Sequence, residues 1–297
     1  MPAVHTKLLS LTYEEGGPAS GPPVLLLHGW PDAPRGWRTV AQHLQAAGWR
    51  TIIPYLRGAA PTHFLSDETP RVGSGVALAQ DAIDLLDALR LERVAVVGHD
   101  WGARTAYTLA ALFPERVTAI VALALAFQPQ GRFTVPDFAQ ARLFWYQWFM
   151  CTEAGAAAVR QDPVGFARIQ WDTWSPPGWF DEAEFTATAE SFRAPDWAAI
   201  TLNAYRSRWL PGEATDPRYD ALQARLHEIE HLATPTLMIQ GAADTCDSPQ
   251  ESEGLDRYFR AGYRRQLVEG VGHFPHRESP DAVAQSMLPF LTEHALR

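Results

Sequence analysis

The chain has 297 residues, 46% of them hydrophobic and 20% charged, with a formal net charge of −9. This is the balance of a soluble globular protein with a sizeable core, and the length suits one α/β domain carrying an insertion. The acidity and the lack of any basic stripe exclude nucleic acid and anionic membrane surfaces as expected partners.

Residues 1–15 lack a charged stretch followed by an apolar one, so they do not read as a signal peptide. The longest apolar run, 120–127, is far too short to span a bilayer. Cys151 and Cys246 are far apart and belong to no CxxC or Cys/His cluster, so they read as free thiols in a reducing compartment. A cytoplasmic setting is expected.

In chain order, the run at 24–27 predicts a buried strand ending in His28-Gly29-Trp30-Pro31-Asp32. A second run at 51–56 ends in Arg57-Gly58. Residues 75–89 carry Ala79, Ile83, Leu86 and Leu89 at helical spacing. A strand is expected at 93–97, a helix at 101–112 stopped by Pro114, and a further strand at 117–126. Continuous apolar strands alternating with amphipathic helices predict a mostly parallel sheet with helices on both faces. From 128 the texture becomes helical and aromatic. It holds Trp145, Trp148, Trp171, Trp174, Trp179, Trp197 and Trp209, seven of the chain's eleven tryptophans. Some of these must form a second core, and others would line an apolar pocket. Strand texture returns at 235–240 and 265–269, with a last helix at 281–294. The expected organisation is a core domain of 1–127 and 223–297, with a helical cap of 128–222 inserted in it.

The strongest motif is Val97-Gly98-His99-Asp100-Trp101-Gly102-Ala103, between a strand and a helix. Small residues on either side permit the sharp turn that lifts a nucleophile above a sheet edge, beside a helix N-terminus that favours negative charge. Alone, an Asp before a helix is an N-cap. As a nucleophile, Asp100 would attack an sp³ carbon and carry an alkyl ester, a different chemistry from serine acyl transfer. Gly272-His273-Phe274 follows the last strand, and Asp244 follows the strand before it. The order Asp100, Asp244, His273 is that of nucleophile, orienting acid and base. Asp247 competes as the acid, and Asp244 is preferred because it lies nearer the strand end.

The set HGWP, GHDWGA, GxxD and GHF resembles the epoxide hydrolase and haloalkane dehalogenase branch of the α/β-hydrolases, over the whole chain and most like the epoxide hydrolases. The resemblance implies an α/β-hydrolase fold with a helical cap. It also implies backbone amides of Trp30 and Trp101 as oxyanion donors beside His28, and two cap tyrosines that protonate the opening epoxide. Phe144-Trp145-Tyr146-Gln147-Trp148-Phe149 places the first of these at Tyr146, and Leu202-Asn203-Ala204-Tyr205-Arg206 the second at Tyr205. The expected reaction opens an apolar or aromatic epoxide to a vicinal diol through an ester on Asp100. Departures keep a dehalogenase alternative in view. Trp101 has a halide-binding counterpart in haloalkane dehalogenases. Fluoroacetate dehalogenases carry a cap His-Trp pair where this chain has Gln147-Trp148, and a carboxylate-binding Arg where it has Arg104. A non-catalytic small-molecule receptor is the alternative from another class. No GxGxxG, P-loop or His/Cys cluster signals a cofactor, so none is expected, nor a metal. The expected partner is a small-molecule substrate, and a homodimer is compatible with the sequence.

Overall fold

The structure, a computed structural model, describes residues 1–294. Its strands are β1 (Ala3–His5), β2 (Leu9–Gly16), β3 (Pro23–Leu27), β4 (Arg50–Pro54), β5 (His63–Phe64), β6 (Val94–His99), β7 (Val117–Leu123), β8 (Thr236–Gly241) and β9 (Tyr263–Val268). They form one sheet of order β1-β2-β4-β3-β6-β7-β8-β9, with β5 paired to β2. Every pair from β4 through β9 is parallel, while β1, β2 and β5 close the edge antiparallel.

Alternate residues of the central strands bury opposite faces, which is why those strands read as unbroken apolar runs. Val24, Leu26, Ala95, Val97, Val121 and Ile239 pack on α1 (Arg38–Ala46) and on a C-terminal helix through Val283, Met287 and Leu291. Leu25, Leu27, Val96, Ile120 and Ala122 face α2 (Gly75–Ala88) and α3 (Trp101–Leu112). The expected strands and helices are present with ends shifted by a few residues. Three edge strands and α1 were not anticipated. In β2, Ser10, Thr12, Glu14 and Glu15 interrupt the apolar signal, and α1 has only Val40, Ala41 and Leu44 buried.

Between β7 and β8 lie α4 (Phe138–Leu143), α5 (Trp145–Cys151), α6 (Glu153–Gln161), α7 (Pro163–Thr173), α8 (Glu182–Ala189), α9 (Trp197–Trp209) and α10 (Asp220–Leu226), with no strand among the described residues. Helix α10 runs through 222, so the boundary expected there falls inside a helix. After β9 come α11 (Pro275–Glu278) and α12 (Pro280–His294), the C-terminal helix named above. The inserted helices are pinned over the carboxyl ends of the strands by polar ties. Trp171 Nε1 donates to the Pro31 carbonyl at 2.8 Å, and the Gly73 amide donates to Asn203 Oδ1 at 2.8 Å. No helix among the described residues is long and apolar enough to cross a membrane.

Candidate active site

Asp100 sits alone in the turn between β6 and α3, at φ 48° and ψ −111°. A non-glycine residue held at positive φ stores strain of about 1–3 kcal/mol, which the surrounding packing must offset. The turn closes because its neighbours lack side chains: a Cβ on Gly98 would strike the Gly102 carbonyl, and one on Gly102 would strike the Leu27 carbonyl. The carboxylate makes no N-cap hydrogen bond to α3. Instead its Oδ1 accepts from the Trp30 amide at 2.8 Å, across the loop that follows β3. Asp100 therefore points away from its own helix into the space under α5 and α9.

His273 lies in the loop between β9 and α11 and is fully buried. Its Nδ1 is 2.9 Å from Asp244 Oδ2, and its Nε2 is 3.9 Å from Asp100 Oδ2. A carboxylate on Nδ1 keeps the proton there, so the lone pair of the neutral ring lies on Nε2. That Nε2 is buried and has no hydrogen-bond partner among the described residues. Burial lowers the imidazole pKa, but the Asp244 carboxylate and its hydrogen bond, with the charges of Asp100 and Asp247, outweigh this and raise it to about 9.

Asp244, and not Asp247, is the partner of His273. Its Oδ1 accepts the amides of Cys246 (2.8 Å) and Asp247 (3.1 Å), and its Oδ2 also accepts Gln240 Nε2 at 2.9 Å. These donors lock the carboxylate toward the ring. Asp247 instead faces the cavity beside Asp100, and burial first, then nearby Asp244 and Asp100, push its carboxyl up to about 7. The ring of His99 supports His273 from behind. Its Nε2 is 2.7 Å from the His273 carbonyl, which only accepts, so Nε2 carries the proton.

Tyr146 and Tyr205 line the same small cavity as Asp100, about 30 Å³ in volume. Their rings meet edge to face at 5.4 Å between centroids. Trp101 Nε1 donates to the Tyr205 oxygen at 3.1 Å. Gln147 Nε2 donates to the Tyr146 oxygen at 3.1 Å. The Gln147 amide cannot flip, because its Oε1 receives Trp209 Nε1 at 3.0 Å and Arg208 Nη1 at 3.4 Å, both donor-only groups. Each phenol oxygen thus accepts a protein donor and keeps its own proton to give. Burial holds both phenols well above their ordinary pKa, helped by Cys246 at Tyr146 and by Asp100 at Tyr205.

Asp100, Tyr146, Tyr205, Gln147 and Arg104 line one cavity, and Trp30, His273 and Asp244 join it through their contacts with Asp100 and with one another. Trp101 contributes its indole, and its amide opens α3. Two of the expected residues sit elsewhere. His28 is spent on backbone, with Nδ1 on the Gly29 carbonyl and Nε2 accepting the Leu56 amide at 3.1 Å, and its pKa falls to about 4 because the ring is buried. Trp148 gives its indole N–H to the Ala141 carbonyl at 2.8 Å and packs on Trp209, outside the Asp100 cavity. Sequence reading missed Gln240, Ser175, His99, Cys246 and Arg208. Ser175 Oγ accepts the His273 amide at 2.9 Å, and Cys246 Sγ lies 3.6 Å from the Tyr146 oxygen. None has a motif of its own, although His99 stands inside the one around Asp100.

Among the described residues two groups have ligand atoms close enough to share a metal ion: Cys246, Asp247 and His273, and Asp32, His99 and His276. In the first, burial raises the Cys246 thiol well above its ordinary pKa and keeps it protonated. Asp32 accepts from Arg277 at 2.6 Å and pairs with His276 at 2.8 Å.

Residues 22–280 match the family described as the alpha/beta hydrolase fold. The chain belongs to the α/β-hydrolase family. This hydrolase is 41% identical to "Epoxide hydrolase 2" of Siraitia grosvenorii, over 92% of each chain. It is 36% identical to "Epoxide hydrolase" of Caballeronia sordidicola, over 97% of this chain and 92% of that one. A Klebsiella pneumoniae crystal structure, provisionally assigned as an epoxide hydrolase, superposes with a TM-score of 0.90 at 36% identity. That alignment covers 97% of this hydrolase and 96% of that chain.

Proposed function

We propose that this hydrolase opens an apolar or aromatic epoxide to a vicinal diol in two steps. The observation that carries the reading is the pair of proton-bearing phenols, Tyr146 and Tyr205, in one cavity with the Asp100 carboxylate. In the first step Asp100 attacks the less hindered epoxide carbon. The breaking C–O bond develops an alkoxide, which takes its proton from the tyrosines, and a hydroxyalkyl ester forms on Asp100. In the second step His273 Nε2 removes a proton from water, which attacks the ester carbonyl. The resulting oxyanion is met by the amides of Trp30 and Trp101. Collapse expels the diol oxygen, which takes the proton from the His273 imidazolium, and the acid proton left on Asp100 returns to the tyrosinate, restoring the carboxylate and the phenol. The inserted helices, 128–222, serve as the cap that brings the tyrosines over the nucleophile.

The electrostatics suit this order. Asp100's charge helps to raise the His273 pKa. Alkylation removes that charge, so the imidazole becomes a neutral base more readily at the step that needs one. A dehalogenase is less well served. The Trp101 indole N–H is engaged by Tyr205 and that of Trp148 by Ala141, so neither is presented to a halide. A receptor would have no use for a base aligned between an acid and a carboxylate.

The test is a paired assay on the purified protein. Styrene-type epoxides are scored for diol, and fluoroacetate, chloroacetate and short haloalkanes for halide release. Diol formation that falls by at least about 10³-fold in Asp100→Ala is the expected result. Halide release without diol would overturn the reading.

A further inference from the structure

Tyr205 has to pass through an anion in the proposed reaction, and a cation stands on its ring. Arg208 lies one turn beyond it, near the end of α9. Its Cζ is 4.3 Å from the Tyr205 ring centroid and 4.3 Å from that of Phe133. Arg208, Tyr205, Gln147, Tyr146 and Asp100 all line the same small cavity.

The hydrogen bonds of Arg208 go to neutral acceptors. Nε donates to the Ala204 carbonyl at 3.1 Å and Nη1 to Gln147 Oε1 at 3.4 Å, while Nη2 is buried without a hydrogen-bond partner among the described residues. Two other arginines differ: Arg57 clamps Asp81 at 2.6 Å, and Arg277 clamps Asp32 at 2.6 Å. Burial, and then the charge of Arg104, push Arg208 down to about 10, which leaves it cationic at neutral pH. Asp100 acts on it only through space.

A cation over a neutral phenol gains only the attraction of the π-face. Once the phenol has given up its proton, the negative charge spreads from the oxygen into the same ring. The contact then joins two opposite charges in a water-poor site, where it is stronger. An interaction that strengthens as the proton leaves lowers the barrier to its leaving. The surroundings of Tyr205 divide accordingly. Burial first, then the charges of Asp100 and Cys246, oppose its ionisation, and Arg208 and Arg104 favour it. Alkylation removes the charge of Asp100 and leaves that of Arg208. The same guanidinium holds the Gln147 oxygen, and so keeps the Gln147 N–H turned to the Tyr146 oxygen at 3.1 Å.

We infer that Arg208 is a positioning residue for proton delivery, which steadies the phenolate left on Tyr205 and, through Gln147, the one left on Tyr146. The inference rests on the epoxide hydrolase reading and adds a residue to its first step. As the bond from Asp100 to carbon forms and the epoxide C–O bond breaks, the phenol proton moves to the released oxygen. Its electron pair stays on the phenolate, against Arg208, until the proton left on Asp100 returns.

The test has two arms. In the first, single-turnover mixing with a styrene-type epoxide reads formation and breakdown of the Asp100 ester separately. Arg208→Gln should slow formation by about tenfold or more and leave breakdown within about twofold; Arg208→Met, a second neutral variant, should do the same, and Arg208→Lys should stay within about threefold of the wild type. Equal losses in the Gln and Lys variants, or losses in both steps, would make Arg208 a clamp on α9 and overturn the assignment. In the second arm, 3,5-difluorotyrosine, a more acidic phenol, replaces Tyr205, and fluorine NMR follows its ionisation with no epoxide present. Its midpoint should rise by about half a pH unit or more in Arg208→Gln and move little in Arg208→Lys. One midpoint shared by all three proteins, or a phenol that stays neutral in all three up to about pH 10, would overturn the assignment. A shifted midpoint in a protein that forms neither ester nor diol would leave the coupling of Arg208 to Tyr205 standing and remove the epoxide reading. Ester and diol formed at the wild-type rate by Arg208→Gln, with the midpoint unmoved, would do the reverse.

Discussion

At the scale of single residues, the site works by assigning one role to each polar atom. Gln147 shows this best. Two donor-only groups, Trp209 and Arg208, fix its oxygen, so its nitrogen must face Tyr146 and the phenol must keep its proton for something else. Gln147→Leu should slow ester formation about tenfold and leave ester breakdown unchanged, as single-turnover kinetics would read separately. Tyr146→Phe and Tyr205→Phe should each slow the same step by ten- to a hundredfold, and together by more. An equal loss in both steps would mean that the tyrosines shape the pocket without donating. Asp100 and His273 were legible in the sequence because each stands in a short string whose place after a strand has one structural meaning. The choice of Asp244 over Asp247 rested there on proximity to the strand end alone. The structure supplies the cause, since the amides of 246 and 247 fold back onto Asp244 and use up its other oxygen. Arg208 was invisible, because no motif marks it and its contact with Gln147 is made across 61 residues of chain.

At the scale of elements, the turn between β6 and α3 governs the rest. It requires the backbones of Gly98 and Gly102 to touch and brings α3 against β3. Gly102→Ala should cost at least about 3 kcal/mol, because the collision is with backbone that cannot rotate away. A urea unfolding curve shifted by less than about 1 kcal/mol would show that the turn has slack. The parallel strands and α3 were legible because burial on both faces leaves an uninterrupted apolar string. The antiparallel edge was not. In β2 the residues Ser10, Thr12, Glu14 and Glu15 dilute that signal, and pairing with β4 is a long-range choice that local pattern does not encode.

At the scale of the whole molecule, charge and pH tie the site to stability. The Asp247 carboxyl titrates near 7 in the folded protein and near 4 when unfolded. Its folded pKa is raised, so the folded state holds the extra proton between those values and stability falls as pH rises from about 4 to 7. Asp247→Asn should therefore match the wild type near pH 4 and be more stable at pH 8, by about 2 kcal/mol once its residual exposure is discounted. Denaturant unfolding at the two pH values checks this, and an equal effect at both would refute it. The run of helices between β7 and β8 shows in the sequence as a change of texture at 128, and α10 carries the helical pattern past 222 before β8 begins.

The central claim is that Asp100 becomes alkylated and that His273 frees it. Mass spectrometry of the His273→Gln protein after mixing with a styrene-type epoxide tests this most directly. The account predicts a stoichiometric adduct of the epoxide's full mass, located on the peptide containing Asp100 and formed within one turnover, with little diol. Rapid, complete conversion to diol by that variant, with no adduct at any time, would contradict it.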